Sequence, residues 1–301
     1  MAIPLQPVNW PAMAAVGVEV IVRRDDLIHR TLSGNKFYKL FFNLCGAIAQ
    51  KQYCILSFGG AYSNHLHALA AAGKAYGLQT IGLVRGHRPK QLSPTLADAQ
   101  AWGMELHFVS RQEYQQRNRP DYIDELRRRL GDFYCVPEGG ANLSGARGCQ
   151  VIAQATAQQV NFDGLCLACG TGTTLAGVSS ALETDKTAYG FSVLKGEGSL
   201  AEEVAQLRQA LVKTESPLSE NWRLIEGYHA GGYARYPEPL HAFVQRFEAD
   251  SGIPLDPVYT AKLFWGMESL AREGYWPRGT RLVAVHSGGL QGRRGYPQYF
   301  E

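Results

Sequence analysis

The stretch Tyr53-Cys54-Ile55-Leu56-Ser57, followed by Phe58-Gly59-Gly60-Ala61-Tyr62-Ser63-Asn64-His65 and an alanine-rich run to Gly77, decides the fold. A short apolar run before a glycine turn has the length of a buried strand, and Ser63 and Asn64 are residues that start helices. Residues 80–84 then read as the next strand, giving a strand, loop, helix, strand unit. The alternation continues with a helix over 95–102, a strand over 105–109, a helix over 122–130 and a strand over 133–136. Beyond these come a helix over about 144–158, a strand over 164–168, a helix from 174 toward 182, a strand over 188–193 and a helix over 200–212. The last third reads as a strand over 222–226, helices over 238–251 and 260–274, and a strand over 281–286. Such alternation predicts α/β architecture, with parallel-rich twisted sheets flanked by helices on both faces. No internal repeat or low-complexity tract interrupts it. In open α/β sheets ligands bind beyond the carboxyl ends of the strands, so the loops that follow strands are the places to look.

The composition fits a large core: 301 residues, 45% apolar and 11% aromatic, a size that favours two lobes over one. The formal charge of +3 comes from 30 basic and 27 acidic residues spread along the chain. No basic patch argues for nucleic acid or a membrane surface as partner. The first residues lack a basic segment ahead of an apolar run, and no segment approaches the roughly 18 apolar residues of a membrane helix, so the expectation is a cytoplasmic protein. Of the six cysteines, only Cys166-Leu167-Ala168-Cys169 has ligand-like spacing. It runs straight into a glycine-rich loop without a second Cys/His pair, so buried thiols and no metal are expected.

Three loops after strands are rich in glycine and hydroxyl residues. In the first, residues 58–65, the glycines let the backbone approach a ligand, and Ser63 and Asn64 fall where helix N-terminal amides point outward. N-capping by itself explains part of that pattern. The second, Cys169-Gly170-Thr171-Gly172-Thr173-Thr174-Leu175-Ala176-Gly177, sets successive amides and three hydroxyls at a helix start, which suits a phosphate dianion. It lacks the lysine of a nucleotide P-loop, and Leu175 stands where a dinucleotide fingerprint needs glycine. A single phosphate on a small cofactor fits it better than a nucleotide. The third is His286-Ser287-Gly288-Gly289-Leu290-Gln291-Gly292. Upstream of all three, Ser33-Gly34-Asn35-Lys36 holds a lysine in a small turn at the start of a helix through Phe41, Phe42 and Leu44. Alone, Lys36 reads as a solvated lysine; beside three ligand-type loops it is a candidate for covalent chemistry.

An amine for an aldehyde, a nest for one phosphate, Asn64 for a ring oxygen and a strand-end hydroxyl for a ring nitrogen together suit pyridoxal 5′-phosphate. Five motifs occur in order over nearly the whole chain: Gly34-Asn35-Lys36 with Lys39-Leu40, Gly59-Gly60-x-x-Ser63-Asn64-His65, Thr171-Gly172-Thr173-Thr174, Asp256-Pro257-Val258-Tyr259, and His286-Ser287-Gly288-Gly289. In this combination the chain resembles the 1-aminocyclopropane-1-carboxylate deaminase and D-cysteine desulfhydrase family, among the fold-type II, tryptophan-synthase-β-like pyridoxal phosphate enzymes. The resemblance implies that Lys36 binds the cofactor aldehyde and, once released, acts as base at the substrate Cα. It implies Asn64 on the 3′-oxygen, Gly170, Thr171, Gly172, Thr173 and Thr174 around the phosphate, and Thr260 or Ser287 on the ring nitrogen. Ser63 would meet the substrate carboxylate or move a proton, Tyr259 and Tyr233 would face the substrate, and Tyr62 and His65 would lie beside it.

One position bears on the activity. The deaminases of the family carry a glutamate after the tyrosine of the Asp-Pro-Val-Tyr motif, where this chain has Thr260. A neutral partner leaves the pyridine ring a weaker electron sink, which suits expulsion of a good leaving group from Cβ better than opening of a cyclopropane. The expectation is therefore α,β-elimination from a small amino acid, D-cysteine first, with the deaminase activity as the alternative and a non-catalytic pyridoxal phosphate-binding protein as the alternative of another class. Tyr62 departs from the glutamine that usually precedes the Ser-Asn pair. The expected architecture is a small domain over 41–147 and a large cofactor-binding domain over 1–40 and 148–301, with the cofactor in the cleft between them, and the resemblance implies a homodimer.

Overall fold

Two sheets, one built from both ends of the chain and one from the segment between, carry the structure, a computed structural model that describes residues 3–195, 199–212 and 220–300. One has six strands: β1 (Leu5–Pro7), β2 (Glu19–Arg23), β7 (Gly164–Cys169), β8 (Thr187–Ser192), β9 (Trp222–Ile225) and β10 (Arg281–Val285), in the order β1-β2-β10-β7-β8-β9. The other has four: β3 (Cys54–Gly59), β4 (Gln79–Arg85), β5 (Met104–Val109) and β6 (Tyr134–Val136), in the order β5-β4-β3-β6. Every pairing is parallel except β1 with β2, so the larger sheet is mixed. β1, with Pro7 in it, occupies the sheet edge, where a missing N–H costs no ladder bond.

The helices are α1 (Pro11–Ala15), α2 (Asn35–Ala49), α3 (Asn64–Tyr76), α4 (Pro94–Ala101), α5 (Arg111–Gln115), α6 (Pro120–Leu130) and α7 (Leu143–Ala157), then α8 (Thr173–Ala181), α9 (Leu200–Val212), α10 (Glu238–Ser251), α11 (Thr260–Arg272) and α12 (Pro297–Phe300). The side-chain alternation of the strands shows why both sheets need helices on both faces. On β10, Leu282 and Ala284 enter one core while Val283 and Val285 enter another; on β3, Ile55 and Leu56 divide in the same way. Cys166 and Cys169 likewise take opposite faces of β7, so the pair cannot turn toward one ion.

The alternation read from the sequence matches these elements to within a residue or two, but β1, β2, α1, α5 and α12 were not anticipated. The Val20-Ile21-Val22 run is strand-like, yet its partner in the parallel ladder is β10, more than 250 residues away. No short window contains that information. Among the described residues, no helix is long and apolar enough to cross a membrane. Residues 1 and 301, the outer bounds of the expected domains, lie outside those described.

Close helix contacts hold the segment after β2 in register. A Cβ on Gly148 of α7 would overlap the Tyr38 carbonyl oxygen of α2, and one on Gly177 of α8 would overlap that of Ala146. Three helices thus stack backbone to backbone, which only glycine permits. Upstream of α2, the buried Arg23 donates to Asp25 at 3.1 Å and to the Tyr38 hydroxyl at 2.9 Å. That hydroxyl in turn donates to Asp25 at 2.8 Å. The network ties the end of β2 to the first turn of α2.

Candidate active site

A cavity of about 420 Å³ opens between the carboxyl ends of the two sheets. Its wall is built by the start of α2, the loops after β3 and β7, the Glu138-Gly139 turn and two tyrosines, Tyr233 and Tyr259. The turn into α2 requires Gly34: its φ is +66°, and a side chain there would overlap the Ser287 carbonyl. This close approach joins the lysine turn to the loop after β10.

Lys36 emerges from that turn into the cavity wall. Its Nζ donates to Asn35 Oδ1 at 2.9 Å and lies 5.8 Å from the centre of the Tyr259 ring. Burial, aided by the neighbouring Lys39 charge, pushes its pKa down to about 7. One turn on, Lys39 is 4% exposed and donates only to the Gly139 carbonyl at 3.2 Å and Thr171 Oγ1 at 3.4 Å. Burial lowers its pKa as well. Neither lysine has a carboxylate in ion-pair contact among the described residues.

The β7–α8 loop faces them. Gly172 caps α8 at φ +69°, leaving the first amides of the helix turned toward the cavity end. Gly170, Thr171, Gly172 and Thr174 line the cavity, with the Thr174 hydroxyl accepting from Asn35 Nδ2 at 2.9 Å. Thr173 is fully buried behind the lining, its hydroxyl 3.0 Å from that of Thr171.

Ser63 caps α3 by accepting from the Leu66 amide at 3.2 Å, and both it and Asn64 reach the cavity. Asn64 Oδ1 accepts from Gln291 Nε2 at 2.6 Å. His65 lines the wall and lies 2.9 Å through Nε2 from the Ser57 hydroxyl. That hydroxyl spends its single proton on the Val136 carbonyl at 2.7 Å, so Nε2 carries the imidazole proton and Nδ1 is a bare, buried acceptor without a partner. Burial, then Lys36 and Lys39, hold the ring neutral by lowering its pKa well below the usual histidine range.

Tyr259 lines the cavity because Asp256 folds the turn before it, accepting from the amides of Val258, Tyr259 and Thr260 at 2.6–3.2 Å. The Thr260 hydroxyl is committed to the same turn, 3.0 Å from Asp256 Oδ1, and does not reach the cavity lining. Ser287 and Tyr62 are also outside the lining; Tyr62 is 40% exposed and packs on Gly295. Tyr233 stands at the rim, 41% exposed. The loop before it is held by Lys262, fully buried, whose Nζ donates to the Gly232 carbonyl at 2.7 Å and the Val193 carbonyl at 3.3 Å.

Sequence reasoning missed several of these groups. Lys39 was quoted in a motif without a part to play, and Lys262 and Gln291 act through contacts 30 or more residues away. Arg85, Arg117 and Glu138 also reach the wall. Arg85 had a signal: it is the last residue of a parallel strand, the place where α/β sheets present functional side chains.

A buried lysine beside a nest of helix amides and threonines, with no carboxylate to pair it, is what a phosphate group would complete. A neutral amine within the same cavity is what an aldehyde would meet. Fold and site together define a pyridoxal phosphate enzyme of fold type II. The chain belongs to the family described as "Pyridoxal-phosphate dependent enzyme", which it matches over residues 3–288. It is 30% identical over 291 residues to a putative 1-aminocyclopropane-1-carboxylate deaminase of Pyrococcus horikoshii, covering 92% of this chain and 86% of that protein. It is 28% identical to the bifunctional, mitochondrial D-cysteine desulfhydrase/1-aminocyclopropane-1-carboxylate deaminase of Arabidopsis thaliana, covering 96% and 76%, and 29% identical to the D-cysteine desulfhydrase of Yersinia pestis, covering 91% and 87%. A crystal structure of a homologue of 1-aminocyclopropane-1-carboxylate deaminase superposes with a TM-score of 0.89 at 27% identity, covering 99% of this chain and 92% of that one.

Proposed function

We propose that the chain catalyses α,β-elimination from a small amino acid, with D-cysteine as the first substrate: D-cysteine and water give pyruvate, sulfide and ammonia. Pyridoxal phosphate, when bound, supplies an aldehyde for amines and a ring that accepts electron density from the substrate Cα. The observation that carries the choice of reaction is that no free carboxylate stands in the cavity wall among the described residues. Glu138 is the one carboxylate among the described lining residues, and it is paired with Arg117 at 2.8 Å. Asp256 is consumed by three amides and the Thr260 hydroxyl. A ring nitrogen with no carboxylate beside it would withdraw electrons more weakly than one held by a carboxylate, and elimination makes the smaller demand.

The side chains then divide the work. Lys36, its pKa lowered to about 7 so that a large share of the amine is neutral near pH 7, takes the Cα proton. Lys39, Thr171, Thr174 and the first α8 amides, that of Thr173 among them, hold the phosphate. With Oδ1 occupied by Gln291, Asn64 offers Nδ2 to the 3′-oxygen. Ser63 and the first α3 amides take the substrate carboxylate, and Tyr259, Tyr233 and His65 shape the rest. Burial and the nearby Tyr233 keep Tyr259 protonated by raising its pKa well above 10.0, so it acts as a donor.

The same reading takes residues 41–147 as a small domain closing on the remainder. It takes the protein as a cytoplasmic homodimer, supported by six free cysteines and by Phe41, Cys45 and Ile48 exposed along one face of α2. Assays of pyruvate and sulfide from D-cysteine, L-cysteine, D-serine and the cyclopropane amino acid test the reaction. Turnover of the cyclopropane substrate alone refutes elimination.

A further inference from the structure

The wall of the cavity holds more positive charge than the cofactor and one amino-acid carboxylate use. Among the described residues, five cationic side chains line it, Lys36, Lys39, Arg85, Arg117 and Lys195, against one carboxylate, that of Glu138. On the reading above, Lys36 serves the aldehyde, Lys39 the phosphate, and the α-carboxylate goes to Ser63 and the α3 amides. Arg117 is spent on Glu138 at 2.8 Å and lies over the Tyr114 ring at 4.9 Å. Lys195 is solvent-exposed at the mouth.

Arg85 is left. It ends β4, where its backbone pairs with Val109 of β5 in the parallel ladder. Its terminal nitrogen would lie 3.7 Å from a Cβ on Gly60, in the loop that carries Ser63, and its guanidinium rests 5.7 Å from the Tyr114 ring. Among the described residues, no carboxylate lies within ion-pair distance of it and no hydrogen-bond acceptor is engaged. A guanidinium keeps its charge at any working pH and presents a fork that matches carboxylate or phosphate oxygens. Stacked on an aromatic ring, beside the substrate loop and without a protein partner, it is preorganised for an anion brought by the ligand.

We propose that Arg85 forms a second anion subsite in this cavity, receiving a carboxylate or phosphate at the far end of the substrate side chain, so that the enzyme binds amino acids with anionic side chains in preference to neutral ones of equal size. The proposal rests on the cofactor reading above. It is compatible with the elimination reading, since a departing thiolate meets the same guanidinium. Neighbouring Glu138 does not cancel the site, because Arg117 already neutralises it.

Aspartate and asparagine have the same size, differ in side-chain charge, and carry no β-leaving group. Both enantiomers of each are titrated into holoenzyme, reading Kd by calorimetry and by the absorbance of the lysine-bound cofactor. The expected result is one enantiomer of aspartate binding at least about tenfold tighter than its asparagine counterpart, as one added charge-assisted hydrogen bond provides. In Arg85→Met that preference collapses to within about twofold while asparagine affinity and the cofactor band stay unchanged, and Arg85→Lys restores part of it. Equal or weaker binding of aspartate by the wild-type enzyme overturns the proposal without recourse to any variant. So does a parallel loss of both ligands in Arg85→Met, which would assign Arg85 to the α-carboxylate. A protein that never forms the lysine-bound band refutes the cofactor reading, and this subsite falls with it.

Discussion

Replacing Lys39 with methionine should move two properties in opposite directions. The side chain is 4% exposed, and among the described residues its acceptors are a carbonyl and a hydroxyl at 3.2 and 3.4 Å and no carboxylate pairs it. In the apoprotein it is therefore a cost: methionine fills nearly the same volume without a charge to desolvate, and the apoprotein should gain on the order of 1 kcal/mol. The bound phosphate reverses this, because a hydrogen bond to a charged group contributes about 1.5–3 kcal/mol. Losing it should weaken pyridoxal phosphate binding roughly 10- to 150-fold. The folded-state pKa of Lys39 is lowered from 10.5, so between that lowered value and 10.5 the unfolded chain binds the extra proton. Lys39 thus makes apoprotein stability rise with pH across that window, a contribution that Lys39→Met removes. Denaturant titrations of the apoprotein at several pH values, and cofactor titrations followed by absorbance, measure both effects. A variant with unchanged cofactor affinity, or an apoprotein less stable than the parent, refutes the assignment of Lys39 to the phosphate.

Three further outcomes are expected. The Lys36 amine, with its pKa near 7, should react with an acylating reagent on a pH profile centred there and not near 10.5, and Lys36→Met should remove that fast-reacting site. Gly34→Ala combines a left-handed φ with overlap of the Ser287 carbonyl, whereas Gly77→Ala, at φ +68° with nothing within 4 Å, carries the backbone strain alone. Gly77→Ala should cost about 1 kcal/mol in a urea titration, and Gly34→Ala should cost clearly more and also lower cofactor affinity. Arg23→Met strands the buried Asp25 carboxylate and should cost about 3–5 kcal/mol, much of it recovered in the double variant Arg23→Met/Asp25→Leu.

Much of the α/β frame is legible locally. The β3–α3–β4 unit announces itself because an apolar run, a glycine turn, a serine cap and an alanine-rich helix lie within 33 residues, and the parallel pairing of β3 with β4 follows from the crossover that joins them. The glycine and hydroxyl loops are legible for the same reason, since a phosphate nest is made of consecutive amides. The β2 strand is not, because its neighbour β10 comes from the other end of the chain. Nor is the commitment of Thr260 to Asp256, which appears only when the turn before α11 is seen closed.

The sequence by itself determined which chemical groups are present and in what order: a lysine in a glycine turn, a phosphate-type loop, a Ser-Asn helix start. These are properties of neighbouring residues and need no fold to be read. Only the tertiary structure decided which charges are paired and which are left over. Lys36 owes its lowered pKa to desolvation and to Lys39, His65 owes its tautomer to Ser57 and Val136, Glu138 is paired with Arg117, and Arg85 has no ion-pair partner among the described residues. Burial and pairing depend on distances between segments far apart in the chain, and those distances exist only once the two sheets face each other.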